Sequence, residues 1–188
     1  MCGAFGTLGV LTEVSLRVVP LPARTVSFAI PVPSVEAGLR ALRQAAALPV
    51  DPTGLAYLPD PALKASVAAR AASFGGAAGV SIIPLEGAMT ALTEKLALLR
   101  QMFAGFDTAT FNEGVTPSLF REIGAGGLFA HRTTDIWRLC VPSSAAHEAV
   151  EKSGAEFWYA DWAGGLLWLA LPGDEDTATR LRSITARL

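Results

Sequence analysis

The order of strand-like and helix-like periodicities constrains the fold more than any other feature of this sequence. Along residues 25–141 the pattern runs strand, helix, strand, strand, helix, strand, which is the order of a ferredoxin-like sandwich. The predicted elements are, in order, Thr25 to Ile30, Ser34 to Leu48, Gly54 to Leu58, Val80 to Leu85, Leu85 to Phe103 and Ile136 to Val141. The sequence therefore predicts an α+β fold in which helices pack on an antiparallel sheet.

Other segments are predicted to extend this core. Asp60-Pro61 can begin a helix that runs to Gly75-Gly76 as an insertion between two strands. Residues 106–134 form a long Gly-rich connection, predicted to be functional or mobile, with a short helix around Leu119 to Ile123. The remaining predicted elements are a helix from Ser144 to Lys152, strands from Phe157 to Trp162 and Leu166 to Leu171, and a helix from Glu175 to Leu188. No internal repeat stands out.

Composition excludes several classes of function. The chain has 188 residues, 51% hydrophobic and 17% charged, which is typical of a packed globular domain. Its net charge of −2 and its lack of a Lys/Arg cluster argue against nucleic acid and anionic membranes as partners. Two distant cysteines, Cys2 and Cys140, favour a reduced cytoplasmic compartment and support neither a disulfide nor a metal site. The uncharged run 162–172 is too short to span a membrane.

The first twenty residues combine a glycine-rich turn with an alternating segment. Thr12, Val14, Leu16 and Val18 would share one face of a strand, so this segment is predicted to belong to a sheet. The glycines ahead of it leave backbone N–H groups open to a flat or anionic ligand. The spacing is not a Rossmann fingerprint, because a strand and not a helix follows the glycines.

The amino-acid sequence of this segment resembles that of a known family. Phe5 to Glu13, FGTLGVLTE, resembles the segment that closes the FAD-binding domain of vanillyl-alcohol-oxidase-type flavoproteins, the PCMH-type FAD domain. The resemblance implies FAD as cofactor and a cap domain downstream. It divides the chain into a remnant of the FAD-binding domain, residues 1–23, and a substrate-side α+β cap domain, residues 24–188. It also implies contacts to FAD from Gly6, Thr7, Leu8, Gly9, Val10 and Leu11.

The second half resembles a narrower family. The runs Leu119 to Glu122, Ile136 to Leu139 and Asp161 to Leu169 follow one another as in the cap domain of the FAD-binding E subunits of bacterial glycolate oxidase. This resemblance implies oxidation of a small 2-hydroxy acid, glycolate to glyoxylate, with hydride passing to FAD. It also implies a heteromeric complex with a D-type flavin subunit and an iron–sulfur subunit. Any contact with the inner membrane would be peripheral and through those partners.

Both ends of the chain depart from the family pattern. Met1 matches a position that lies inside the family's sequence, and the family's closing arginine- and proline-rich tail is missing. We therefore expect the sequence to be a piece of a longer polypeptide, and we expect this piece alone to retain little or no FAD.

Three residues are candidates for substrate chemistry. Arg138 follows Trp137 on an alternating strand, so the two should point to opposite faces, and a guanidinium can hold a carboxylate through two parallel N–H bonds. The alternative is an exposed arginine whose stem packs on apolar surface. His131, beside Arg132 in the long connection, can accept a hydroxyl proton or can simply be solvated.

A tryptophan group and a competing function complete the predictions. Trp158, Trp162 and Trp168 fall around a tight turn, where Asp161 can accept from an indole N–H, and such a group is typical of a core or an interface. The competing function is a non-catalytic ferredoxin-like module for assembly or small-molecule binding. The sequence FGTLGVLTEV favours the flavoenzyme over this module.

Overall fold

The structure, a computed structural model, describes residue 4, residues 6–18 and residues 20–188. Within these residues it contains seven strands in one antiparallel sheet and six α-helices. The strands are β1 Arg24–Val32, β2 Ala56–Pro59, β3 Gly79–Gly87, β4 Ala109–Phe111, β5 Asp135–Cys140, β6 Phe157–Asp161 and β7 Leu166–Leu171. The helices are α1 Val35–Ala46, α2 Asp60–Ala65, α3 Met89–Met102, α4 Thr116–Ala125, α5 Ala146–Ser153 and α6 Glu175–Thr185. No helix in this part of the chain has the length and hydropathy to cross a membrane.

The sheet confirms the predicted α+β class and contains the ferredoxin-like unit. Its strand order is β4-β1-β3-β2-β6-β7-β5, and the first four positions follow the ferredoxin-like arrangement. The segment predicted to be the fourth strand of this unit is wrong. That place is taken by β4, which has only three residues and so gives almost no periodic signal. The strand predicted at Ile136 to Val141 forms as β5, at the opposite edge of the sheet.

The second half of the chain repeats the topology of the first. The series β5-α5-β6-β7-α6 has the same order of elements as β1-α1-β2-β3-α3, apart from the inserted α2. In each half the third strand lies between the other two, giving β1-β3-β2 and β5-β7-β6. The halves meet where β2 lies antiparallel to β6 through one residue pair, Tyr57 and Ala160. The backbone N–H of Ala163 also donates to the carbonyl of Leu55, at 2.9 Å.

Helices cover the two faces of the sheet unequally. One face packs under α1, α3, α5 and α6, which are the helices of the two repeated units. The other face, here called the α4 face, packs under α2, α4 and the 3₁₀ turn Gly127–Phe129. This second layer does not extend over the outer strand β5, where Ile136, Arg138 and Cys140 remain exposed. The α4 face therefore combines a buried centre with an open strip along β5.

The inserted helix α2 is shorter than the prediction. It was expected to continue to Gly75-Gly76 and instead ends at Ala65, after which Ser66 adopts an extended backbone. The carboxylate of Glu122, on α4, accepts from the hydroxyl of Ser66 at 2.6 Å and from the N–H of Ala68 at 3.1 Å. This tertiary contact holds the chain in a turn where local periodicity favours a helix.

The strand predicted within Thr12 to Val18 does not form in the described residues, which stop at Val18 and resume at Pro20. Both edges of the sheet, β4 and β5, pair only with strands of the sheet itself, so this segment has no strand beside it. Its apolar side chains are exposed, Val14 to 60% and Leu16 to 79%. An alternating sequence has no stable strand conformation without a neighbour to satisfy its backbone.

Candidate functional site

Arg138 lies on the open strip of the α4 face. Residues of β5 alternate, so Trp137 packs against the large core under the four helices, whereas Arg138 points to the other side. The indole N–H of Trp137 donates to the carbonyl of Pro172 at 3.2 Å. The prediction that Trp137 and Arg138 point to opposite faces is confirmed.

The guanidinium of Arg138 rests on an aromatic ring of the neighbouring strand. Arg138 is directly opposite Trp168 in the β5–β7 register, and its guanidinium carbon lies 4.8 Å from the ring centroid. Such an arrangement is a cation–π contact, and it limits the orientations of the guanidinium plane. No carboxylate of the described residues forms an ion pair with Arg138 at 4.0 Å or less, so its N–H groups are free to bind an external acid.

Asp161 adds a negative group beside Arg138. Burial raises the pKa of this carboxyl group above its usual value, while the backbone N–H of Trp162 and the charge of Arg138 partly oppose that shift. The carboxylate accepts from the Trp162 backbone N–H at 2.8 Å. The sequence also allowed it to accept from an indole N–H, but within the described residues the indole N–H of Trp168 is buried without a partner.

The three tryptophans do not form one cluster. Trp158 packs on the opposite face of the sheet, 5.7 Å from the ring of Tyr57, and Trp162 is 61% exposed. Trp168 alone belongs to the α4 face. The alternation of β6 and β7 separates side chains that are close in sequence.

A row of four aromatic rings extends from Trp168 across the α4 face. Trp168 stacks on Tyr159 at 5.7 Å with an angle of 18° between the rings, Tyr159 contacts Phe129 at 5.4 Å, and Phe129 contacts Phe157 at 5.2 Å. The hydroxyl of Tyr159 donates to the carbonyl of Ile123 at 2.7 Å, which fixes the row against α4. Sequence reasoning missed this row, although the period-2 alternation of residues 157–161 and 166–171 indicates which of its members share a face.

The other predicted substrate residues lie at the far end of that row. The guanidinium carbon of Arg132 is 3.6 Å from the ring centroid of Phe157, so Arg132 and Arg138 are positioned at opposite ends of the four rings. His131 is exposed in the turn before β5. The structure thus brings Arg138 together with Trp168 and Asp161 and places His131 outside that group.

The predicted cofactor segment, Gly6 to Leu11, is exposed and belongs to no strand or helix. Gly6 and Gly9 have φ values of +79° and +144°, a region that favours glycine. The backbone N–H of Thr7 donates to the carbonyl of Ala4 at 3.0 Å. A Cβ atom added at Gly6 would meet nothing within 4 Å, so a ligand can approach the backbone closely there. Contact of this segment with FAD remains a prediction.

Metal ligands do not assemble in the part of the chain that the structure describes, because no group of three or more His, Cys, Asp or Glu side chains comes together there.

Comparison with known proteins identifies the fold. No family model matches the sequence, and no curated protein does either. Similar solved structures include p-cresol methylhydroxylase with substrate bound (TM-score 0.57, 11% identity, 89% of this chain and 43% of that one). They also include alkyldihydroxyacetonephosphate synthase (0.58, 13%, 89% and 39%). A third is the 4-ethylphenol oxidase from Gulosibacter chungangensis in complex with isoeugenol (0.52, 11%, 90% and 44%).

These similarities show the fold, since the identities are low. The chain has the α+β fold of one portion of these enzymes and spans about two fifths of their length.

Proposed function

We propose that this chain is the cap portion of an FAD-dependent oxidoreductase and that Arg138 binds the carboxylate of a 2-hydroxy acid substrate. The observation that carries the proposal is the exposed guanidinium of Arg138, held over Trp168 and free of internal ion pairs among the described residues. Two of the structural neighbours, p-cresol methylhydroxylase and 4-ethylphenol oxidase, are named for oxidative reactions. The resemblance of the opening segment to PCMH-type FAD domains supports the same class of enzyme.

The chemistry of the proposed site divides between the protein and its cofactor. FAD, when bound, supplies the hydride acceptor for oxidation of the substrate's C–OH group. The open backbone of Gly6 to Leu11 fits a flat, partly anionic group, and these residues would hold it. Arg138 would orient the substrate through two parallel N–H···O bonds, and Trp168 would keep the guanidinium plane in place. His131 lies near the other end of the aromatic row, so it is not proposed to accept the hydroxyl proton of a substrate held by Arg138.

Glycolate as substrate, and a complex with a D-type flavin subunit and an iron–sulfur subunit, are the finer part of the proposal. They rest on the resemblance of residues 119–122, 136–139 and 161–169 to the glycolate oxidase E subunits. In such a complex the electrons would leave FAD through the iron–sulfur subunit.

The test is to isolate the protein from its native source with its partners and to measure glycolate-dependent reduction of an artificial dye. We expect dye reduction, bleaching of flavin absorbance by glycolate, and little or no flavin on the 188-residue chain purified alone. An isolated complex without flavin, or one whose flavin no 2-hydroxy acid reduces, would overturn the proposal. Stoichiometric FAD on the chain alone would show that the expected truncation of the flavin site is wrong.

A second candidate, a non-catalytic assembly module, is favoured by one observation. Residues 24–188 form the whole seven-stranded sheet and its cores without the opening segment. The same isolation separates the two functions, because an assembly module would co-purify with partners in a complex in which removing this chain leaves the specific activity unchanged.

A further inference from the structure

A concavity lies at the end of the α4 face opposite the Arg138 strip, where β1 and β3 emerge from beneath the start of α4. It encloses about 440 Å³, a volume within the range of small-molecule sites. Its walls are mostly apolar, from Leu21, Pro84, Pro117 and Phe120, and its polar groups include Thr25 and Glu86. The cavity therefore suits a ligand that has one apolar ring and one polar end.

The polar end of this cavity is negative. Thr25 and Glu86 are directly opposite each other in the β1–β3 register, and both side chains face the cavity. Glu86 is half-buried, and among the described residues it forms no ion pair. The ammonium of Lys95 donates to the backbone carbonyl of Glu86, at 3.4 Å, and leaves its carboxylate free.

Nearby cations are either engaged or absent from the lining. Arg24, the residue before Thr25, forms an ion pair with Glu113 at 2.8 Å. Among the residues that the structure describes, no lysine, arginine or histidine lines the cavity. A carboxylate that has no ion pair favours a positively charged ligand and disfavours an anion.

We propose that this cavity binds a small organic ammonium ion with an apolar ring, whose N–H groups donate to the carboxylate of Glu86. The site is separate from the Arg138 strip. In the strand order β3, which contains Glu86, and β5 are four positions apart, which corresponds to about 19 Å at the usual spacing between strands. The two ends of the α4 face thus select opposite charges, a carboxylate at Arg138 and an ammonium at Glu86.

Benzylamine is a suitable probe, with benzyl alcohol and benzoate as neutral and anionic analogues of the same ring. Titration of the ¹⁵N-labelled full chain should shift the backbone resonances of Thr25, Glu86 and Phe120. Because a hydrogen bond to a charged group adds more than a neutral one, we expect benzyl alcohol to bind at least about tenfold more weakly. Benzoate should not bind at all.

Variants test the role of the carboxylate. Glu86→Gln keeps the shape of the side chain and should weaken benzylamine binding at least about tenfold while leaving benzyl alcohol unaffected. Glu94→Gln removes the same charge from an exposed position of α3 and is the matched control. Superimposable amide spectra of both variants would establish that they are folded.

Three results would overturn the proposal: no shifts at the cavity, equal affinity for amine and alcohol, or benzylamine binding unaffected by Glu86→Gln. Shifts confined to residues 6–18 would also overturn it, because they would place the probe on the exposed opening segment. Arg138→Gln should leave benzylamine binding unchanged, so this test is independent of the proposed oxidoreductase function.

Discussion

The guanidinium of Arg138 lies over the indole of Trp168, with its central carbon 4.8 Å from the ring centroid, and the other side of that indole stacks on Tyr159. The pair joins the edge strand β5 to β7 on the face that the second helix layer leaves open. A cation held on a buried ring, with no carboxylate of the described residues within ion-pair distance, can bind an external acid without first breaking an internal ion pair.

Replacing Arg138 should impair substrate binding without unfolding the protein. In the isolated complex, Arg138→Gln should raise KM for a 2-hydroxy acid by about a hundredfold, as expected for loss of a charge-assisted bidentate contact of about 3 kcal/mol. Arg138→Lys should recover only part of this, since an ammonium lacks the planar fork. Arg138 is exposed, so the free energy of unfolding should change by less than about 0.5 kcal/mol. Unchanged KM in Arg138→Gln would contradict the proposed role.

Two buried tyrosines should respond oppositely to loss of their hydroxyls. Within the described part of the chain the hydroxyl of Tyr57 has no hydrogen-bond partner, whereas that of Tyr159 donates to the carbonyl of Ile123. Tyr57→Phe should therefore stabilise the fold by about 1 kcal/mol, and Tyr159→Phe should destabilise it by about the same amount. Urea denaturation with unchanged m-values is the measurement. A loss of stability in both variants would mean that the Tyr57 hydroxyl has a partner.

The loss of stability in alkaline solution should depend on Tyr57. Burial raises the pKa of Tyr57 above its ordinary value of 10.0. The unfolded chain then loses this proton at lower pH than the folded chain, so stability falls as pH rises above about 10. In Tyr57→Phe the free energy of unfolding should decline less steeply between pH 10 and pH 11.5. The difference in slope should correspond to the loss of about one proton at most. Parallel pH profiles of unfolding free energy for wild type and variant would refute this.

Removing the carboxylate of Glu122 should release the turn that follows α2. Glu122→Ala breaks the two hydrogen bonds to Ser66 and Ala68 and leaves the buried Ser66 hydroxyl poorly paired, a cost of about 2 kcal/mol. Hydrogen exchange should accelerate in residues 66–78. Glu148→Ala, which removes an exposed i,i+4 partner of Lys152, is the control and should cost less than about 0.5 kcal/mol. Equal losses in the two variants would count against a specific role for Glu122.

Acid should weaken the start of α6. Asp174 caps this helix by accepting from the Thr177 backbone N–H at 2.7 Å, and that bond lowers the pKa of Asp174 below its ordinary value of 3.8. Its contribution is complete above pH 3.8 and is lost as pH falls through the lower folded-state pKa. Asp174→Ala should lower the melting temperature at pH 7 and have a smaller effect near pH 2.5. An effect of equal size at both pH values would contradict the linkage.

Sequence periodicity predicted the elements with strong local patterns. Ser34 caps α1 by accepting from the N–H of Ala37 at 3.2 Å, as its position before the apolar period indicates. Alternation along β5 correctly put Trp137 and Arg138 on opposite faces. In both cases the determining interaction is local, so the sequence contains it.

The errors share one physical cause, which is contact between residues far apart in sequence. The end of α2 depends on Glu122, more than fifty residues away. The partner of Asp161 is the exception, because it is the backbone N–H of the next residue, Trp162. The strand β4 exists because it pairs with β1, and the duplication of the halves is visible only in the strand order. Periodicity carries no information about such partners.

The boundary between the two repeated halves has few backbone bonds and many side-chain contacts. One residue pair joins β2 to β6, and around it Tyr57 packs on Trp158 while the guanidinium of Arg43 donates to the carbonyl of Ser143 at 2.9 Å. Because so few backbone bonds cross this boundary, we expect a change in the packing of Tyr57 on Trp158 to alter the angle between the halves before it alters the ladders inside either half. Since Arg138 belongs to one half and Glu86 to the other, the angle between the halves sets the separation of the two oppositely charged groups.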